Sequence, residues 1–160
     1  MIQGKNPAIV ASALDNIVES LDTLRRLSVV RSRKWVADYG EWLVAAAFCG
    51  TIAESKTQTG WDVRTATERI QVKTHSKAFD NPNRWSAVNP NTAAYDALAI
   101  VVLNEQFRVT EFYKVPSLAL KGMLAGNRVR WADCARWRLR FSDLRLAPEF
   151  AALFQKSDSE

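Results

Sequence analysis

The chain has 160 residues, of which 48% are hydrophobic and 24% are charged, a composition that favours one globular domain and argues against a disordered chain. Its 22 Lys+Arg against 17 Asp+Glu leave a net charge of +5, which favours an anionic partner such as nucleic acid. Two cysteines and one histidine are too few for a disulfide framework or a zinc site. No signal peptide or membrane-spanning run is evident, so we expect a cytoplasmic protein with no membrane contact.

Two helices are predicted in the first third of the chain. Residues 7–27 carry apolar side chains at the spacing of one helical face, which indicates an amphipathic helix. A second helix is predicted from about Arg33 to Cys49, with Cys49 buried and Gly50 as the C-terminal stop. We expect a single domain over 1–160, with 1–30 as a helical extension and 31–145 as the core.

A sheet is predicted in the middle of the chain. Residues 61–65 and 69–74 indicate two short strands joined by a hairpin turn at 66–68. The polar stretch 75–91 indicates a loop. Residues 96–103 form a nearly continuous apolar run, which is typical of a strand buried on both faces, and 107–115 indicates a further strand.

The last third is predicted to return to helix and strand. Pro116 begins a helix that reaches about Leu124. Arginines alternate with apolar residues over 128–131 and 137–141, which predicts two more strands, and 148–154 suits a short helix. The expected fold class is α/β, with helices packed on a mixed central sheet.

Four polar residues form the candidate functional centre. Gln71 and Lys73 share one face of their strand because residues two apart do so, and the hairpin brings Asp62 beside them. Glu41 has apolar neighbours at helical spacing, which places its carboxylate on or beside the core-facing side. A carboxylate in that position is costly unless a cation or a partner neutralises it.

These residue types suit metal-assisted hydrolysis of a phosphodiester. Asp62, Glu41, the Gln71 side chain and the Val72 backbone carbonyl offer the oxygen ligands that Mg²⁺ prefers, with Mn²⁺ as a substitute. A bound metal lowers the pKa of water and neutralises charge on phosphate. Lys73 would position that water or stabilise the transition state.

The pattern Gly40-Glu41, Gly60-Trp61-Asp62 and Gln71-Val72-Lys73-Thr74 resembles the PD-(D/E)XK nuclease superfamily, in its glutamine-bearing QxK form. That superfamily has an αβββαβ core, and the predicted element order over 31–140 follows it. The resemblance implies a restriction endonuclease-like fold and a Mg²⁺-dependent endonuclease acting on DNA in restriction or phage defence. Trp61 stands where many members have proline, and Gln71 stands where most have an acid.

The glutamine keeps two other functions open. An amide oxygen binds a divalent cation more weakly than a carboxylate, so a catalytically inactive nucleic-acid-binding module in a larger complex is the main alternative. An RNA-cleaving toxin on the same fold is a third hypothesis. A homodimer is also possible, and the 8–27 helix is its candidate surface.

Six further residues are candidates for nucleic-acid contacts. His75 and Ser76 follow the motif and would lie near phosphate, while Arg84 and Trp85 would use charge and stacking. Arg138 and Arg140 belong to the later arginines, whose alternation suits a phosphate-tracking surface. A solvated edge hairpin would produce the same alternation.

Each site residue also has a purely structural interpretation. Asp62, Gln71 and Lys73 would form a solvated salt bridge on a surface hairpin, and Glu41 would pair with Lys34 or a nearby arginine. Glu68 would sit in the hairpin turn, and Asp96 would satisfy the backbone of a turn.

Overall fold

The computed structural model describes residues 6–55, 60–77 and 84–156. Helices α1 (Pro7–Arg26) and α2 (Trp35–Ala47) come first and confirm the two predicted helices. The Asn6 side chain accepts a hydrogen bond from the Ala8 backbone N–H at 3.0 Å, and Pro7 occupies the first helical position. This combination of an amide cap and a proline suits a helix start.

In the described part of the chain, seven strands follow in two sheets. They are β1 (Thr51–Ile52), β2 (Val63–Arg64), β3 (Arg69–His75), β4 (Trp85–Ala87), β5 (Ala97–Leu103), β6 (Val109–Pro116) and β7 (Arg128–Arg130). The main sheet has the order β1-β2-β3-β5-β6, in which β3 and β5 are parallel and the other neighbours are antiparallel. Strands β4 and β7 form a separate antiparallel pair.

The main sheet is covered on both faces. Every residue of β5 is buried, which confirms the prediction for this apolar run. Ile70 and Val72 of β3 belong to the core shared with α2, whereas Leu98 and Ile100 of β5 belong to a second core shared with β7. A mixed α/β sheet flanked by helices, the predicted fold class, is therefore confirmed.

Several predicted details are wrong. Residues 137–141 form no strand, because Trp131–Trp137 is a 3₁₀ helix and the following segment makes one isolated bridge from Arg138 to Tyr113. The predicted loop 75–91 contains the end of β3 and all of β4, and its residues 78–83 lie outside the described ranges. The helix after Pro116, α3, covers only Ser117–Lys121.

The end of α2 also differs from the prediction. Cys49 is exposed and has a φ of 52°, so it takes the left-handed position that glycine commonly fills after a helix. The Gly50 N–H donates to the Ala45 carbonyl at 2.8 Å and closes the helix end. The left-handed residue after the helix therefore lies one position earlier than predicted. As a result the Cys49 side chain is exposed, although its apolar neighbours in the sequence indicated burial.

Helix α1 contributes little to the core. Leu21 and Leu24 are its only described side chains that are not exposed, while Ile9, Val10, Leu14, Ile17 and Val18 retain 46–68% of their exposure. Within the described ranges, no helix combines the length and apolar character needed to cross a bilayer. The apolar face of α1 is thus left open to solvent.

Candidate functional site

One cavity of about 320 Å³ brings the predicted centre together. Glu41, Asp62, Gln71, Val72 and Lys73 all line it. The cavity lies past the end of β2, where no strand of the described residues covers the edge of β3 and residues from both faces of β3 line the space. Its walls also include Lys34, which the sequence offered as a partner for Glu41, and Arg31 and Asp38, which the sequence did not single out.

Asp62 ends the pairing of β2 with β3. Its N–H donates to the Ile70 carbonyl at 2.9 Å, but its carboxylate Oδ2 accepts from the Val72 N–H at 2.7 Å. The Asp62 carboxylate therefore accepts the hydrogen bond that a backbone carbonyl would accept if β2 continued alongside β3. Since the N–H and C=O of a strand residue point to the same side, the Val72 carbonyl also faces this uncovered edge.

Gln71 and Lys73 project from the face of β3 opposite α2. Gln71 is buried, and its Oε1 accepts the Asn89 backbone N–H at 3.2 Å. Lys73 is half-buried and makes no hydrogen bond or ion pair with any residue of the described ranges. The cavity therefore contains an ammonium group that is available to an anion.

Glu41 reaches the cavity because α2 lies very close to β3. A Cβ on Gly40 would lie 1.8 Å from Thr74 Oγ1, so only glycine allows this approach. The Glu41 carboxylate accepts a hydrogen bond from Arg31 Nη2 at 2.8 Å, and Arg31 Nη1 donates to the Ala53 carbonyl at 3.0 Å. The predicted alternative of an ion pair with a nearby arginine thus describes this contact.

Asp38 is a structural acid that sequence reasoning missed. It is buried, and its Oδ2 accepts the backbone N–H groups of Arg31 at 2.7 Å and Ser32 at 2.5 Å. These bonds fix the turn before α2 and hold Arg31 beside Glu41. The available signal was an acid three residues before Glu41 in an otherwise apolar helix.

Both carboxyl groups of the cavity have raised pKa values. Burial raises the pKa of Glu41 above its ordinary value, the Asp62 carboxylate raises it further, and Arg31 opposes both. Burial also raises the pKa of Asp62, against the opposing effects of the Val72 N–H, Lys73 and Arg31. A divalent cation held by Glu41 and Asp62 would relieve the repulsion that the Asp62 carboxylate exerts on Glu41.

The donor set fits a hard cation with few protein ligands. Two carboxylates and the Val72 carbonyl supply oxygen atoms, and Mg²⁺ binds in proteins through one or two carboxylates while it keeps several waters. Among the described residues, no group of three or more His, Cys, Asp or Glu side chains is placed to hold a metal ion. Metal affinity would consequently depend on Glu41 and Asp62 together.

His75 lies in a buried network instead of an exposed loop. Its Nε2 is 2.7 Å from Ser86 Oγ, which also accepts from Trp131 Nε1 at 2.9 Å. Burial, and then the charge of Lys73, lower the pKa of His75 to about 4. His75 therefore connects β3 to β4 as a neutral ring, and Ser76 follows it as a half-buried residue.

The predicted arginine contacts lie at different distances from the cavity. Arg84 forms an ion pair with Glu111. Trp85 lies beneath the guanidinium of Arg128, and both belong to the β4–β7 pair, which contacts His75 through Ser86. Arg138 and Arg140 lie beyond β6, which is two strand spacings, or about 10 Å, from β3. Among the lining residues of the cavity, none of these four occurs.

The two competing acids have structural partners. Glu68 lies in the hairpin turn and pairs with Lys114. Asp96 accepts the Arg69 backbone N–H at 2.7 Å and pairs with its side chain at 3.0 Å. Neither acid lines the cavity.

No protein-family model and no curated protein matches the chain. The function must therefore be inferred from the chemistry of the cavity.

Proposed function

We propose that the protein is a metal-dependent endonuclease that hydrolyses phosphodiester bonds in DNA, with restriction or phage defence as its setting. The observation that supports this most is the single cavity lined by Glu41, Asp62, Gln71, Val72 and Lys73. Two carboxylates with raised pKa values and an ammonium with no hydrogen-bond or ion-pair partner among the described residues suit cation and phosphate binding together.

A restriction endonuclease-like core belongs to the same proposal. Helix α2 is followed by the antiparallel meander β1-β2-β3, with Asp62 just before β2 and Lys73 inside β3. Strand β5 then pairs in parallel with β3. This order is compatible with the αβββαβ core, although the connection from β3 to β5 contains β4 and a short 3₁₀ helix in its described part.

In this mechanism, Glu41 and Asp62 would hold Mg²⁺ or Mn²⁺, and the Val72 carbonyl and Gln71 would complete the site. A cation bound there would supply an activated water and a counter-charge for the phosphate. The Lys73 ammonium orients the attacking water and stabilises the negative charge that develops on the phosphoryl oxygens. Arg31 and Lys34 line the same cavity and attract the substrate phosphate.

The test is cleavage of supercoiled plasmid DNA in Mg²⁺ or Mn²⁺. Lys73→Ala and Asp62→Asn should each reduce the rate by about 100-fold or more, since removing one such group has that effect in other enzymes. Lys156→Ala and Glu149→Gln are matched controls, because both residues are exposed and neither lines the cavity. Equal cleavage by all four variants would refute the proposed site.

A catalytically inactive nucleic-acid-binding module is the second candidate. Two contacts favour it: the Gln71 carbonyl already accepts the Asn89 N–H, and Arg31 already neutralises Glu41. Tight DNA binding without cleavage in either metal would support this module over the enzyme. The same assay with an RNA substrate tests the hypothesis of an RNA-cleaving toxin.

A homodimer through α1 is a further part of the proposal. Of the eight exposed large hydrophobic side chains found among the described residues, five lie on this helix. An apolar face of this extent is typical of an interface, and a second copy offers the same face in a symmetric dimer.

A further inference from the structure

The positive charge of the protein is concentrated late in the chain. Residues 121–145 contain seven of the 22 basic residues and two of the 17 acidic ones. Their net charge of +5 equals that of the whole chain, so the remaining residues are neutral in sum. A polyanion attracted to this protein would therefore be drawn mainly to this segment.

The pair β4–β7, together with the 3₁₀ helix Trp131–Trp137, forms a small unit that we call the wing. Its inner face contains Ser86 and Val129, which are buried against the main sheet. Its outer face contains Trp85, Ala87, Arg128 and Arg130, with Trp85 opposite Arg130 and Ala87 opposite Arg128. Both arginines of β7 are exposed on this face.

Two arginines of the wing keep their hydrogen-bond donors available. The Arg128 guanidinium lies 4.1 Å from the centre of the Trp85 ring, and that of Arg136 lies 5.0 Å from the Trp137 ring. In the part of the chain that the structure describes, neither makes a hydrogen bond or an ion pair. Stacking holds each guanidinium in place while its N–H groups remain free for phosphate.

Arg136 lies on the same side of the wing as the outer face. Asp133 pairs with Arg130 at 3.2 Å and lines the same surface depression as Arg128 and Trp85. Side chains three apart in a 3₁₀ helix are eclipsed, which places Arg136 in line with Asp133. Arg128 and Arg136, which stack on tryptophan rings, therefore lie on the same surface as Arg130, which is paired with Asp133.

The wing is attached next to the candidate site. Ser86 of β4 contacts His75, which lies two residues after Lys73 on the same face of β3. Two residues of strand span about 7 Å. The Asn89 N–H that follows β4 contacts Gln71 in the cavity itself. The outer face of the wing is therefore separated from the face of β3 that bears Lys73 by about one sheet-to-sheet spacing, roughly 10 Å.

We propose that the outer face of the wing binds the phosphate backbone of duplex DNA through Arg128 and Arg136 and holds the duplex against the candidate site. The identity of the ligand rests on the proposed function, but binding by the wing requires neither a metal nor cleavage. These contacts are electrostatic and independent of base sequence, so they position the duplex without selecting a sequence.

The experiment measures binding of a fluorescein-labelled DNA duplex to the full chain by anisotropy, in EDTA and over a series of NaCl concentrations. The test variant is Arg128→Gln with Arg136→Gln, which removes two charges and keeps side chains over both tryptophans. The matched control is Arg25→Gln with Arg26→Gln, which removes two exposed charges from α1.

We expect the wing variant to bind roughly tenfold more weakly near 0.1 M salt and to lower the slope of log K against log salt by about two, at about 0.9 per lost phosphate contact. The control should keep the wild-type slope. An unchanged slope in the wing variant, or an equal change in the control, would overturn the proposal. Because the binding assay contains no metal, its outcome is independent of plasmid cleavage. If the protein binds DNA through the wing but never cleaves it, the nuclease proposal is refuted and the wing proposal stands.

Discussion

Gly40→Ala would place a methyl group at the closest contact between helix α2 and strand β3. The new Cβ would lie 1.8 Å from Thr74 Oγ1, 2.9 Å from its Cβ and 3.0 Å from its Cγ2. Rotation of the Thr74 side chain cannot remove the contact with its own Cβ. The helix would have to move away from the sheet, and Glu41 would move with it.

The net effect on stability follows from two opposing contributions. Alanine is better than glycine inside a helix by about 1 kcal/mol. Overpacking a filled contact costs about 1–3 kcal/mol and sometimes more, and contact with three atoms favours the upper part of that range. We expect a loss of about 2 kcal/mol in the free energy of unfolding, which lowers Tm by about 4–8 °C for a chain of this size.

The matching variant is Thr74→Ala. Thr74 Oγ1 is buried and has no hydrogen-bond partner among the described residues, so its removal relieves a desolvation cost and opposes the lost methyl packing. We expect this variant to be close to wild type in stability and the double variant to recover about 1 kcal/mol of the loss.

Thermal and urea unfolding of the four proteins measures this cycle. Wild-type stability of Gly40→Ala would refute the close approach of α2 to β3. If Gly40→Ala lowers the free energy of unfolding by the same amount in the wild-type and Thr74→Ala backgrounds, the clash involves a residue other than Thr74.

Three other predictions concern the cavity, the wing and α1. His75 should titrate near pH 4 by NMR, because burial and then Lys73 lower its pKa to about 4; a value near 6.5 would contradict the buried network. Since the folded-state pKa is depressed, its contribution of about 3 kcal/mol is present above about pH 6.5 and is lost as the pH falls toward 4. Gln71→Glu should increase Mg²⁺ affinity about tenfold by calorimetry, because a carboxylate replaces an amide oxygen, and unchanged affinity would place the metal away from this residue. Leu14→Glu should convert a dimer to a monomer in analytical ultracentrifugation, whereas Leu118→Glu, at an 86% exposed position on α3, should not; a wild-type protein that is monomeric at all concentrations would exclude this interface.

The local pattern of the chain predicted most of the elements that frame the site. Apolar residues at helical spacing indicated α2, and the nearly continuous apolar run 96–103 indicated a strand covered on both faces, as β5 is over Ala97–Leu103. These patterns are reliable because each element must bury its own apolar face. The turn between β2 and β3 was equally local, and its Thr65 N–H to Glu68 carbonyl bond is 2.8 Å.

The failed strand at 137–141 shows the limit of period-two patterns. Arg138 and Arg140 are exposed while Leu139 packs toward the core, so the alternation itself is present. The segment lies along β6, with the Leu139 N–H donating to the Phe112 carbonyl at 2.8 Å, but it does not continue as a ladder. Alternating burial requires only one covered side, whereas a strand also requires a partner for several successive residues.

The sequence by itself determined the helix of Glu41, the hairpin that joins Asp62 to Lys73 and the face shared by Gln71 and Lys73, because these features depend on residues close together in the chain. Only the tertiary structure decided that Arg31 would neutralise Glu41, that Asn89 would bond to Gln71 and that β4 and β7 would place arginines beside β3. The Arg31–Glu41 contact depends on the turn before α2, which Asp38 holds, and the other two depend on how β4 packs against the face of β3 opposite α2, where Ser86 contacts His75. Periodicity contains no information about such a contact, since it arises from the shapes of two surfaces that meet only in the folded protein.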